Sequence, residues 1–219
     1  MSVLIEAAVE SLDAALAAAR GGADRLELCA NVDVGGTTPN AELLAAVKSR
    51  IDIPVFAMIR PRGGSFVYTP AEREAMRRDI AMACQHGADG IVLGLLDERS
   101  RIDVTAMRDV LGDAGDLPVT FHRAFDEIAD QLSALDTLVE LGIDRVLTSG
   151  GAPTALAGVE SIRALVEHAA GEIHIMAGGG VRAHNAGDLV RLTGVRELHA
   201  RCELDPARIS EMRQALESA

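Results

Sequence analysis

The residues of this chain that could do chemistry sit in a few short polar or glycine-bearing segments, each closing an apolar run. Arg60-Pro61-Arg62-Gly63-Gly64 sets two guanidiniums on a loop fixed by proline and glycine. That arrangement suits bidentate capture of carboxylate or phosphate, or the bridging of neighbouring surface acids. Thr120-Phe121-His122-Arg123-Ala124-Phe125-Asp126 closes another run. Alternation puts Thr120 and His122 on one face and Phe121 and Arg123 on the other. If the first face is inward, His122 is an acid or base, with Asp126 either orienting it or capping the next segment. Glu6 and Glu27 close two further runs. Adjacent carboxylates raise each other's pKa, which suits proton transfer; they could equally bind a metal, pair with Arg60 or form a structural salt bridge.

Two glycine loops, Thr148-Ser149-Gly150-Gly151 and Ala177-Gly178-Gly179-Gly180, offer bare backbone N–H groups near helix starts, a nest for an anion. With Arg60, Arg62, His122, Arg123 and Arg182 they would form a local basic patch on an acidic chain, the mark of a site for a small anionic ligand. Cys29 shares the face of Glu27. With Met58 or Met176 it would suit Cu(I); the alternative is an inert buried thiol among core methionines.

Stepping from these segments to the elements that carry them, a strand-like run followed by a helix-like stretch recurs eight times. The strands are expected at Val3 to Glu6, Arg25 to Cys29, Pro54 to Ile59, Gly90 to Leu95, Leu117 to Phe121, Asp144 to Leu147, Glu172 to Ala177 and Arg196 to His199. Among the helices, one runs up to Ala19 before Gly21-Gly22, a second opens at Thr38-Pro39, and a third opens at Thr69-Pro70. Further helices are expected near Val104 to Leu111, Gln131 to Leu141, Ala155 to Ala169, His184 to Leu192 and Pro206 to Leu216. Near-continuous apolar strands indicate a parallel sheet covered by helices. A doubly wound sheet shares that pattern, but eight uninterrupted units favour a single-domain (β/α)8 barrel over residues 1–219. In such a barrel chemistry lies at the C-terminal strand ends, where the segments above fall.

Composition narrows the function. The net charge of −12 argues against nucleic acid and anionic membranes as partners. No apolar run approaches the ~18 residues of a membrane span, and the N-terminus lacks the basic region of a signal peptide, so a cytoplasmic location is expected. The three cysteines, Cys29, Cys84 and Cys202, form neither a disulfide framework nor a closed zinc site. The five aromatics, Phe56, Phe66, Tyr68, Phe121 and Phe125, fall in two motif segments and are expected to shape a pocket or simply to fill strands.

Taken in order, GGADRLELCAN, GGTTP, IPVFAMIRPRGG, PVTFHRAFD, RVLTSGG and MAGGGV closely resemble the CutC family, named for copper homeostasis. The resemblance runs from Glu6 to about His199. It implies a (β/α)8 barrel, a cytoplasmic homo-oligomer and copper binding. The family pattern carries over to Glu6, Glu27, Arg60, Arg62, His122, Arg123, Asp126, Ser149 and the Gly178 to Gly180 loop. Of the cysteines to which copper binding is attributed in some members, Cys29 matches one, whereas Ala8 stands at the other. Three readings result: a copper-binding protein, an acid/base enzyme for a small anionic or phosphorylated metabolite, and a barrel that binds such a ligand without turning it over.

Overall fold

Residues 3–202 and 207–218 are described by a computed structural model of the chain. Its strands are β1 (Leu4–Val9), β2 (Arg25–Leu28), β3 (Val55–Met58), β4 (Gly90–Leu93), β5 (Val119–Phe121), β6 (Arg145–Thr148), β7 (His174–Ala177) and β8 (Glu197–Arg201). Between and after them run α1 (Leu12–Arg20), α2 (Ala41–Lys48), α3 (Pro70–Gln85), α4 (Val104–Leu111), α5 (Gln131–Glu140), α6 (Val159–Ala169), α7 (Ala183–Thr193) and α8 (Ala207–Glu217). Every strand pairs in parallel with the next, and β8 closes on β1, giving the expected barrel.

The helix starts are set by short polar caps. Thr69 and Glu72 form a reciprocal capping box at α3, with Pro70 in the first turn. At α2 the cap is Asn40, whose carbonyl oxygen accepts from Leu43 N–H, so the helix opens two residues beyond the Thr38-Pro39 signal. The expected start of the last helix, Pro206, lies outside the described residues.

Two strand boundaries matter for function. β1 extends to Val9, which leaves Glu6 in mid-strand and below the barrel mouth rather than at the strand end. β8 runs on to Arg201, so His199 is a strand residue two positions below its end.

Outward-facing Ile, Val, Leu and Ala of the strands pack under the helices and form the main apolar core. Inside the barrel the filling is unusual. Arg25 pairs with Glu6 and, at 2.6 Å, with Glu197; Arg145 pairs with the same Glu197 at 2.5 Å. All four side chains are buried. The Phe56 ring lies against both guanidiniums, 5.0 Å from Arg25 and 5.6 Å from Arg145. Opposite charges balance within this layer, which forms the floor under the mouth.

Candidate functional site

At the C-terminal ends of the strands a cavity of about 700 Å³ opens, lined by groups from β1, β2, β3, β8 and the loops after β2, β3, β5 and β7. Of the residues singled out in the sequence, Glu27, Cys29, Arg60, His122, Arg123, Asp126, Gly179, Gly180 and Arg182 line it. Glu6, Arg62, Ser149, Gly150 and Gly178 do not.

His122 is in the mouth because Gly94 makes room for it. A Cβ built on Gly94 would stand 2.5 Å from His122 Nδ1 and 2.6 Å from Cε1. His122 also caps the short 3₁₀ turn 123–127: its Nδ1 accepts the Ala124 N–H at 3.2 Å. Burial, reinforced by the nearby Arg60 charge, holds its pKa down at about 3. The ring is therefore neutral around pH 7, with its proton on Nε2. Nε2 is buried and has no hydrogen-bond partner. The inward orientation expected from alternation is present, but the role open to His122 is that of a hydrogen-bond donor rather than a base.

Asp126 neither orients His122 nor caps a helix. Its Oδ1 accepts from Thr148 Oγ1, Ser149 N and Gly151 N at 2.5, 2.9 and 3.1 Å. Its Oδ2 accepts from Ser149 Oγ at 3.0 Å and Arg123 Nε at 2.8 Å. The carboxylate thus ties the loop after β5 to the loop after β6. Ser149 is buried in that knot, and Gly150 packs against the start of α6, where a Cβ would meet Gly158 O at 2.6 Å. The first glycine loop is consequently a structural joint. The second reaches the cavity: a Cβ on Gly179 would lie 3.5 Å from Arg123 Cζ, so backbone and guanidinium share one corner of the mouth.

The two arginines of the RPRGG loop part company. Arg60 donates to the carbonyls of Val34, Gly36 and Gly64 at 2.9–3.0 Å and lies over the Phe66 ring, so it holds two loops together at the cavity wall. Arg62 pairs with Glu72 and donates to Ser65 O and Val67 O, outside the cavity. Arg62 therefore follows the second of the two alternatives read from the sequence, the bridging of a neighbouring acid, while Arg60 keeps a place on the cavity wall. Among the aromatics, Phe66 lines the mouth and Phe56 its floor, while Tyr68, Phe121 and Phe125 belong to the outer core.

The lower wall carries a residue that the sequence reading passed over. His199 Nδ1 lies 2.7 Å from Glu6 Oε1, and its Nε2 lies 3.7 Å from Glu27 Oε2. Burial pushes the Glu6 pKa up, but the His199 hydrogen bond and the Arg25 charge outweigh it, leaving about 2. Burial, with the Glu6 charge adding to it against His199, raises Glu27 to about 7. Burial alone would lower His199, but the Glu27 and Glu6 carboxylates prevail and raise it. Glu6 and Glu27 are thus driven apart rather than both upward, and Glu6 pairs with Arg25, not Arg60. Ligand atoms of Glu6, Glu27 and His199 lie within 4.8 Å of one another, a possible set for a metal ion. The signal for His199 was alternation along β8, which puts Glu197, His199 and Arg201 on one face.

Cys29 and Met58 are brought together with Phe56 and Val92 in a small apolar cluster, whereas Met176 lies deeper, against Arg25. The thiol is 1% exposed and donates to Val9 O at 3.6 Å. Burial, with Glu27 nearby, pushes it far above the usual thiol range. The loop after β2 also sits on both sulfur side chains: a Cβ on Gly36 would lie 3.6 Å from Cys29 Sγ and 3.2 Å from Met58 Cε. One capped, protonated thiol does not fit a Cu(I) centre, which needs a thiolate with an open coordination position.

The CutC family model matches residues 3–203. The chain belongs to the CutC family. It is 46% identical over 210 residues to a human copper homeostasis protein cutC homolog, covering 96% of this chain and 76% of that protein. It is 50% identical over 196 residues to a family protein CutC from Xanthomonas campestris pv. campestris (strain 8004), covering 90% and 82% respectively. The crystal structure of a copper homeostasis protein CutC from Streptococcus agalactiae superposes with a TM-score of 0.88 at 37% identity, over 92% of this chain and 99% of that one. This CutC-family chain therefore has both the sequence and the barrel of its relatives. Among its described residues, no helix is long and apolar enough to cross a membrane.

Proposed function

We propose that this CutC-family barrel serves in copper homeostasis, as the names of its relatives say, through chemistry on a small anionic ligand at the mouth rather than through a thiol-bound copper ion. One observation carries the reading: three buried polar atoms without partners, His122 Nε2, Arg60 Nε and Glu27 Oε1, belong to side chains lining the same cavity. An unpartnered buried polar group costs about 1–3 kcal/mol, so a cavity holding a donor and an acceptor in this state is complementary to a polar ligand. His122 Nε2–H is placed to donate to a carbonyl or phosphoryl oxygen, where it would stabilise charge that develops there. Arg123 and the Gly179-Gly180 backbone supply the positive corner for the ligand's anionic end, and a phosphate group fits that chemistry. Phe66 gives the wall an apolar face. A cytoplasmic location and self-association belong to the same proposal, supported by the family resemblance.

The test is a panel of small phosphorylated and carboxylated metabolites, screened by thermal shift and then by product analysis. His122→Ala is expected to leave the fold intact and to weaken binding of a hit at least ~10-fold, the loss of one buried hydrogen bond worth ~1.4 kcal/mol. Equal binding by wild type and His122→Ala would sink the reading. The copper arm is separate. Cys29→Ser is expected to leave Cu(I) affinity, measured by competition with a chromogenic chelator, within about twofold of wild type. A stoichiometric site lost in that variant would restore the thiol-centred reading.

A further inference from the structure

Below the ligand cavity, we propose, Glu27 and His199 hold a divalent cation of borderline or hard character, Zn²⁺ or Mn²⁺, with Glu6 fixing the histidine. The inference goes beyond the anionic-ligand reading and does not depend on it.

Three features of the geometry point to this site. The first is spacing: Glu27 Oε2 and His199 Nε2 are 3.7 Å apart, too far for a hydrogen bond. Two ligand atoms each ~2.0–2.2 Å from one metal ion stand roughly 3.3–4 Å apart, so the gap has the width of an ion. The second is orientation. Both oxygens of Glu6 are engaged, one by Arg25 and one by His199 Nδ1 at 2.7 Å. A carboxylate paired with a guanidinium accepts and does not donate, so Nδ1 carries the hydrogen and Nε2 faces Glu27. That is the carboxylate–histidine arrangement that presents imidazole to a metal and fixes its tautomer. The third is the orphan: Glu27 Oε1 is buried, its residue is 4% exposed, and no donor reaches it. A cation held by both oxygens of this carboxylate would satisfy that atom as well as Oε2.

The donor set is one imidazole and one carboxylate, which suits Zn²⁺ or Mn²⁺ and not Cu(I). Glu27 and His199 both line the mouth, so the remaining coordination positions open into the cavity. A ligand oxygen could enter the cation's shell from there, which is the arrangement of sites that keep an open position for chemistry.

The experiment uses the full chain, freed of metal by chelator and dialysed. Zn²⁺ is titrated in competition with a colorimetric indicator, and Mn²⁺ is followed by loss of its free-ion EPR signal. One equivalent is expected to bind at one of these metals with a Kd below ~100 μM. Glu27→Gln, equal in shape but neutral, is expected to weaken that site at least 10-fold, and His199→Gln likewise. Arg123→Ala, which removes a guanidinium bonded to Asp126 and Ser149 and to neither Glu27 nor His199, is expected to leave cation affinity unchanged, so failure here is distinguishable from failure of the anionic-ligand reading. Absence of any site tighter than ~100 μM in the wild type overturns the proposal, whether or not the variants fold. So does equal affinity in wild type and Glu27→Gln, or a site that disappears with Cys29→Ser instead.

Discussion

Arg25→Met is expected to destabilise the barrel by about 3–5 kcal/mol, the cost of removing one partner from a buried ion-pair network. Arg25 bridges Glu6 and Glu197 from the centre of the barrel, and all three side chains are at least nine-tenths buried. Without it, Glu197 keeps Arg145, but Glu6 keeps only His199, and a carboxylate with 0% exposure cannot be rescued by water. Methionine matches much of the lost volume, so the measured penalty reports charge rather than a cavity. Urea denaturation gives the number, and the double variant Arg25→Met/Glu6→Gln should recover part of it, because the orphaned charge is then gone. A loss below ~1 kcal/mol would mean that the floor of the mouth is hydrated and that its charges are cheap to unpair. The same variant should disturb the mouth, since Glu6 sets His199 and His199 faces Glu27.

That network also marks the limit of what could be read from the residues alone. The eight-unit barrel was legible because each strand is a short apolar run and each helix a periodic one, and the closure of β8 on β1 agrees with it. His122 was legible because alternation from Thr120 to His122 fixes its face once the strand is known. Arg25, Arg145 and Glu197 were not. Each stands at the first position of its strand, where a charged residue reads as an exposed strand entrance. In a barrel whose strands tilt, those entrances turn inward, and partners from β1, β2, β6 and β8 meet across the axis. Sequence distance hides such pairs: Arg25 and Glu197 are joined only by barrel closure. Glu6 was misplaced for a local reason. The Ala7-Ala8-Val9 continuation of β1 resembles the start of the Ala-rich helix that follows, so the strand was expected to end three residues early. For Arg60, Arg62 and the Thr148 to Gly151 loop the sequence left the anion site and the structural tie open together, for another reason. Side chains that satisfy loop carbonyls or backbone N–H groups have the same composition as side chains that wait for an anion, and only the partners tell them apart.

Gly94→Ala is expected to abolish ligand binding at the mouth, by 100-fold or more, while leaving a folded barrel destabilised by roughly 1–3 kcal/mol. The added methyl would stand 2.5 Å from His122 Nδ1 and 3.2 Å from the Ala124 Cβ. The imidazole cannot slide along its own axis, because Phe66 lies against it at 4.9 Å and Phe121 at 6.1 Å. It must rotate, which breaks the Ala124 N–H to Nδ1 bond that fixes the tautomer and moves the Nε2–H from its present position. Gly90→Ala is the matched control, four residues earlier on the same side of the chain. There the methyl would meet the Phe56 ring at 2.5 Å, and that ring packs against Arg25 and Arg145. Its expected damage is to stability rather than to the ligand site, and the two variants should separate in a plot of melting temperature against ligand affinity. If Gly94→Ala binds ligand as wild type does, His122 is not part of the recognition, and the donor that the cavity presents must be sought at Arg123 and the Gly179 backbone instead.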